Sequence, residues 1–402
     1  MKLNQGGRLV TSAAALAIAG TVVLSACGSS GNSSSGGSSS ASGSSSASTD
    51  TASSASTDTM TTSATDASSG APTGSASCSK GTLKAEGSTA QTNAMTAWIN
   101  AYQKQCTGAT INYNPTGSGA GVKQFTGKQV DFAGSDSALD PTKGEVAAAT
   151  KRCASPALDL PMVVGPIAVA FKVKGISDQG LTLTPKLVAQ IFLGKITTWN
   201  DPAIAAANKD VKLPSEKITV FFRSDSSGTT QNFEKYLAAN DPTDFTAKPD
   251  KVWAGKVGQG KAKSQGIQQA VGSTEGSIAY EEYSFVLNGN LAAAKIDNGG
   301  GAVGLTPATA SAAAAAATVV GKGNDVTLKL DYATKKPGAY PIVLVTYEIA
   351  CTKYADPKVG TFVKSFLTYT SGAGQTALNQ LGYAPIPPSV KDKVTKAIAA
   401  IS

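Results

Sequence analysis

Three short stretches of this 402-residue chain place small, hydroxyl-bearing residues directly before a helix-like run: Ser88-Thr89, Ser118-Gly119 and Ser227-Gly228-Thr229. A helix start presents unpaired backbone N–H groups and a partial positive charge, so loops of this kind suit a phosphate or sulfate oxyanion. Small side chains let the backbone approach such an ion, and each hydroxyl adds a donor. Singly, each stretch is the ordinary mark of an N-cap. Three of them together with Arg223 point to anion chemistry. Arg223 offers a planar fork of donors matched to two oxygens of a tetrahedral ion. Asp225, two residues on, is placed to pair with it and fix its direction; the plain alternative is a surface ion pair worth about 0–1 kcal/mol.

Asp136, closing Gly134-Ser135-Asp136, narrows the choice of ion. A carboxylate inside an anion site repels its ligand unless the ligand brings a proton that the carboxylate accepts. Phosphate carries such a proton near neutral pH and sulfate does not, so an acceptor here discriminates between them. The plain alternative for Asp136 is an Asx-turn or cap.

The chain has no histidine and no CxxC, which removes imidazole-based metal sites, bases and triads. A phosphatase using Ser227 or Thr229 as nucleophile would need a positioned base, and the acidic cluster of a two-metal site is missing from the sequence. No enzymatic activity, metal or cofactor is expected. A phosphate-sensing surface adhesin is the other alternative, because fold does not fix role.

The elements that must hold these residues follow from periodicity. Thr82–Glu86 reads as a strand, and after it Ala94, Met95, Trp98, Ile99 and Tyr102 fall on one helical face. Ala109–Tyr113 and Val130–Ala133 read as further strands, with a helix-like segment Val122–Thr126 between them. Strand, small-residue loop and helix in repeated order is the signature of an α/β fold with largely parallel sheets, whose ligands sit at the carboxyl ends of the strands. The long apolar segments Leu158–Val173 and Tyr340–Ala350 are read as two strands crossing between lobes. The expected division is residues 78–166 plus 340–402 for lobe I and 167–339 for lobe II. The alanine run Ala312–Ala317 reads as a helix, and Leu193–Asp201 with Trp199 as core and turn.

Residues 1–26 read as a secretory signal: Lys2 and Arg8, an apolar run Ala13–Leu24, then small residues before Cys27. Leu24-Ser25-Ala26-Cys27 resembles a lipobox, which would leave Cys27 lipidated and the protein anchored to the outer face of the membrane. Residues 27–77 read as a Ser/Gly/Thr-rich tether that cannot bury enough apolar surface to fold. As a coil of about 50 residues it would span roughly 35–42 Å. The formal charge is +8 overall. Setting aside Lys2 and Arg8 and the three aspartates of the tether leaves +9 for residues 80–402, a balance that favours anions. Nucleic acid is not expected, since no Lys/Arg block is interleaved with aromatics. Besides Cys27 the chain holds Cys78, Cys106, Cys153 and Cys351, an even set in an exported chain with three possible pairings. The sequence-local option joins Cys78 to Cys106, and Cys153 to Cys351 would follow.

From Leu83 onward the chain resembles the PstS family, the substrate-binding proteins of the bacterial phosphate ABC transporter. The matching segments are Glu86-Gly87-Ser88-Thr89, "GSGAGVKQF", "VDFAGSD", "LGKITTWND", "RSDSSGTT" and "GSTEGSIAYEEY", in the family's order across nearly the whole folded region. The resemblance implies a two-lobed periplasmic-binding-protein fold of type II, each lobe a mostly parallel sheet flanked by helices, closing on inorganic phosphate and delivering it to a membrane permease. A monomer is expected. Carried over position by position, the phosphate contacts would be Ser88, Thr89, Ala90, Ser118, Asp136, Arg223, Ser227, Gly228 and Thr229, with Asp225 orienting the arginine. Where the family often has an aromatic after the first threonine this chain has Ala90, which serves equally if only its backbone N–H is used.

Overall fold

Leu83 and Ala85 turn inward while Thr82 and Lys84 face out along the first strand, Gly81–Gly87 (β1). That period of two is what a sheet buried mainly on one face imposes. The computed structural model describes residues 77–402; the segments up to residue 76 expected to be a signal sequence and a tether, with Cys27, lie outside the described residues. Helix Thr92–Gln105 (α1) buries Ala94, Met95, Trp98 and Tyr102, with Ile99 at the margin of the same core. Then come Ala109–Pro115 (β2), Ser118–Thr126 (α2), Phe132–Ser135 (β3), Glu145–Cys153 (α3) and the 16-residue strand Ala157–Lys172 (β4).

The middle of the chain runs through Thr182–Leu183 (β5), Pro185–Phe192 (α4), Pro202–Ala207 (α5) and Thr219–Arg223 (β6). Gly228–Asn240 (α6), Gln259–Lys261 (β7), Lys263–Ser273 (α7), Ser277–Glu282 (β8) and Tyr283–Asn288 (α8) follow. Short strands Ala292–Ala293 (β9), Lys295–Asp297 (β10) and Ala302–Val303 (β11) lead to helix Pro307–Ala314 (α9). Thr318–Val319 (β12) and Leu328–Lys329 (β13) pair with each other. Val343–Cys351 (β14), Pro357–Ser371 (α10) and Pro388–Ala399 (α11) complete the chain.

The main sheet has the order β2-β1-β3-β14-β4-β8-β6-β7. β2, β1 and β3 are parallel at one end, and β8, β6 and β7 are parallel at the other. β4 and β14 are the crossing strands, each buried on both faces and antiparallel to the other. The first part of β4, Ala157–Pro166, pairs with β14, and its second part, Ile167–Lys172, pairs with β8. One strand thus serves two sheet halves, and the architecture is the two-lobed α/β fold with mostly parallel lobes.

Side chains divide into two large cores. One gathers Leu83, Trp98, Tyr102, Phe125, Phe132 and Phe366 with the start of β4; the other gathers Phe171, Phe192, Trp199, Phe233, Trp253 and Tyr280. Trp199 is fully buried, and its indole N–H donates to the Gly276 carbonyl at 3.0 Å, a packing role. Two details depart from expectation. Residues 310–328, placed by sequence within lobe II, contribute Ala310, Ala313, Ala314, Val326 and Leu328 to the first core. The alanine helix begins and ends earlier than the run Ala312–Ala317: Thr306 and Thr309 cap its start reciprocally, and the last alanines close tighter three-residue turns. Disulfides join Cys78 to Cys106, tying the start of the described chain to the end of α1, and Cys153 to Cys351, tying α3 to β14.

Candidate functional site

Asp136 follows β3 and is 3% exposed, at the carboxyl end of a parallel strand, where α/β sheets bind ligands. Three hydroxyls converge on its carboxylate. Ser88 donates to Oδ1 at 2.5 Å, Thr346 to Oδ1 at 2.8 Å and Ser118 to Oδ2 at 2.9 Å. The Asp136 backbone N–H in turn donates to Ser118 Oγ at 3.1 Å. Burial, with Glu282 nearby, pushes the carboxyl up to about 6 against the lowering effect of these hydroxyls.

The loops that carry the hydroxyls form for different local reasons. Gly87, at φ +142°, has no room for a Cβ, which would lie 2.0 Å from the Gly134 carbonyl oxygen. Glycine there lets β1 and β3 approach, and the Ser88 N–H donates to that carbonyl at 2.8 Å. The helix after Ser88-Thr89 begins only at Thr92, with Gln91 at its N-cap position. Ser88 and Thr89 therefore sit in a loop ahead of α1 and do not cap it. Tyr113 donates to the Ser88 carbonyl at 2.7 Å and Tyr383 to the Ala90 carbonyl at 2.6 Å, so two carbonyls of this loop are held away from its N–H groups. The Ala90 N–H itself reaches Ser88 Oγ at 3.1 Å. Ser118 opens α2, and Ser227 is the N-cap of α6, its oxygen accepting from the Thr230 N–H at 3.4 Å. Ser227 does therefore fill the ordinary capping role as well.

The second half of the molecule brings Arg223 from the end of β6, 3% exposed. Its Nε and Nη2 donate to the two Asp225 oxygens at 2.8 and 2.5 Å, the bidentate pairing expected from their spacing. Burial works against the guanidinium charge, but Asp225, with Glu282 and Glu281 behind it, outweighs that and raises its pKa. The Lys263 N–H donates to Asp225 Oδ1 at 2.8 Å, fixing the aspartate in turn. The Thr229 hydroxyl donates to Glu282, which leaves its first-turn N–H as the group available to a ligand.

These two sets of residues meet. The Gly228 N–H donates to Ser118 Oγ at 3.2 Å, and the Gly119 N–H to the Ser226 carbonyl at 3.0 Å. A Cβ on Gly228 would lie 2.6 Å from the Asp136 Cβ, and one on Gly119 2.0 Å from Ser226 Oγ, so both glycines are needed for the approach. Ser88, Thr89, Ala90, Ser118, Asp136, Arg223, Ser227, Gly228 and Thr229 are all buried along one seam. Sequence reasoning missed four residues there: Ser264, which touches Arg223 and Thr89; Thr346 of β14; Glu282, at the end of β8; and Tyr113. Glu282 lies within "GSTEGSIAYEEY" at the carboxyl end of a strand, where the strand-end rule would have found it. Thr346 is enclosed in an apolar run and gives no such signal. Among the described residues no group of His, Cys, Asp and Glu is arranged to hold a metal ion, and no helix is long and apolar enough to cross a membrane.

Fold and site together define a solute-binding protein of the periplasmic-binding class, and the sequence model of the PBP superfamily domain matches residues 38–373. Within that class the chain belongs to the PstS family of phosphate-binding proteins. It is 48% identical over 342 residues to phosphate-binding protein PstS 3 of Mycobacterium tuberculosis, covering 83% of this chain and 91% of that one. It is 34% identical over 300 residues to phosphate-binding protein PstS of Haemophilus influenzae, covering 73% and 85%. Among solved structures, the periplasmic phosphate-binding protein PfluDING bound with phosphate superposes with a TM-score of 0.63 over 79% of this chain and 93% of that one, at 22% identity, a likeness of fold.

Proposed function

We propose that this chain is an extracytoplasmic receptor that captures inorganic phosphate between two closing lobes and delivers it to the permease of an ABC transporter, with no chemistry performed on the ligand. The observation that carries this reading is Asp136: a buried carboxylate facing hydroxyl donors, across a seam from an oriented arginine. An acceptor held among hydroxyl donors, beside an arginine already paired with Asp225 and close to Glu282, fits an oxyanion that still holds a proton. The ligand contacts are Ser88, Thr89 and Ala90 through the first loop, Ser118, Asp136, Arg223, and Ser227, Gly228 and Thr229 at the start of α6, with Asp225 orienting Arg223. Asp136 also faces a groove lined by Lys235, Lys248 and Lys329, whose charge favours an approaching anion. Closure takes place between residues 78–166 plus 340–402 and residues 167–339, with α9 to β13 riding on the first core. A signal sequence ending at residue 26 directs export and is removed, and a lipid on Cys27 holds the receptor, as a monomer, at the outer face of the membrane. That the relatives are named phosphate-binding proteins supports the ligand.

Calorimetric titration of the purified protein, freed of carried-over ligand by unfolding and refolding, tests the reading. One phosphate per chain with no measurable heat from sulfate is the expected result; binding of both ions or of neither would refute it.

A further inference from the structure

We infer that Ser264 is a positioning residue for anion capture: it sets the hydrogen-bond direction of Thr89 across the seam, so that Arg223, Ser264 and Thr89 form one donor chain ending at the bound oxyanion. The inference rests on the anion-capture reading above.

Ser264 is the second residue of α7 and fully buried. Its Oγ lies 3.2 Å from Arg223 Nη1 and 2.7 Å from Thr89 Oγ1. A guanidinium only donates, so Ser264 Oγ is the acceptor of the first contact. In the second contact either hydroxyl is free to donate, and two further facts decide which does. The backbone N–H of Ser264 also points at Thr89 Oγ1, at 3.4 Å, a long contact that makes Thr89 an acceptor. A hydroxyl holds one proton and two lone pairs. With Ser264 Oγ donating, both lone pairs of Thr89 are engaged and its proton is left for a third direction. With the direction reversed, the proton of Thr89 is spent on Ser264 and a lone pair is left over, which an oxyanion would repel. Arg223 also polarises the Ser264 hydroxyl and strengthens it as a donor. Arg223 and Ser264 come from β6 and α7, and Thr89 from the loop after β1, so the chain is complete only when the two lobes are together. The sequence presents Thr89 and Arg223 as separate contacts; the structure couples them through a serine that directs Thr89 without taking a ligand position itself.

The test is a cycle of full-length proteins, wild type, Ser264→Ala, Thr89→Val and the double variant, titrated with inorganic phosphate by calorimetry and by stopped-flow fluorescence. Ser264→Ala should weaken binding about tenfold, the scale of one lost buried hydrogen bond to a charged network. Nearly all of that loss should appear as faster dissociation, because the chain forms on closure. In the Thr89→Val background the same change should cost less than about twofold, since the pathway through Thr89 is already cut. Should Ser264→Ala not fold, Ser264→Cys, which keeps a weak donor of similar size, carries the test with a smaller loss of the same kind. Wild-type affinity in the serine variant, or an undiminished loss when Thr89 is already valine, would overturn the inference. Wild-type protein that binds no phosphate would instead bring down the anion-capture reading and this inference with it, a result that the variants are not needed to see.

Discussion

Asp136 takes hydroxyl donors from three separate elements, the loop after β1, the start of α2 and β14, so its carboxylate is held in one place whichever face a ligand meets. Held this way and ionised, it offers a lone pair that an ion with a proton satisfies and a bare oxyanion does not. Its titration near 6 gives the selectivity a pH limit. Below about pH 6 the carboxyl gains a proton and turns from acceptor to donor, so the lone-pair repulsion that rejects sulfate fades. Sulfate affinity of the wild-type protein should therefore rise as pH falls through that value. Asp136→Asn, whose amide always presents an N–H, should bind sulfate on both sides of it and bind phosphate about tenfold or more weakly. Sulfate titrations of both proteins at about pH 5 and pH 8 check this; rejection of sulfate by the wild type at both values would remove Asp136 as the discriminating group.

The loop between α6 and β7 joins the site to the opposite lobe. The Lys251 carbonyl accepts from the Ser227 N–H at 2.8 Å, holding the start of α6, while its ammonium reaches Glu145 of α3 at 3.0 and 3.3 Å. Glu234 anchors the loop by accepting the Asp250 and Ala254 N–H groups, each at 2.8 Å. A second pair, Lys143 with Asp250, is nearly half exposed and adds little. The Lys251 side chain is 5% exposed, so its pairing with Glu145 is little screened by salt, and a cross-lobe pair of this kind would act as a latch on the closed state. Lys251→Met should speed phosphate release about tenfold, roughly 1.4 kcal/mol, and leave association within about twofold, read by stopped-flow; equal changes in both rates would rule out a latch. This latch was not legible in the sequence, because Glu145 and Lys251 are far apart in the chain and neither belongs to a periodic pattern. The hydroxyl loops and Arg223-Asp225 were legible, because small residues ahead of an apolar period mark strand-to-helix turns. Ser264 lies in the first turn of a helix by the same logic, but it follows Lys261-Ala262-Lys263, which reads as solvated surface. Thr346 was hidden because β14 is buried on both faces, and a strand of that kind reads as one apolar run.

At the scale of the whole molecule, the two cores and the seam between them enclose several buried carboxyls. Burial pushes Glu348 of β14 and Asp159 of β4 up to about 8, with Asp136 adding to the first and Asp325 to the second, and pushes Glu234 up to about 7. A carboxyl raised on folding holds its proton more tightly in the native chain than in the unfolded one. Folding then takes up protons at any pH between the two values, and stability falls as pH rises through that window. Asp140, Asp225 and Asp250 are shifted the other way: burial opposes their charge, but Thr142 for the first, Arg223 for the second and Lys143 for the third overcome it. Their contribution is present above the ordinary carboxylate range and is lost only below about pH 4. The ligand-free protein should therefore be most stable on the acid side, near about pH 5, with Tm falling toward pH 8. Glu348→Gln, which keeps the shape and removes the charge, should raise Tm by about 3 °C or more at pH 8 and leave it nearly unchanged at pH 5. Calorimetric melts of both proteins across that range measure the slope directly. A wild-type Tm that climbs from pH 5 to pH 8 would mean that these carboxyls are ionised and paired in the native state, and the acid side would then be where the fold fails.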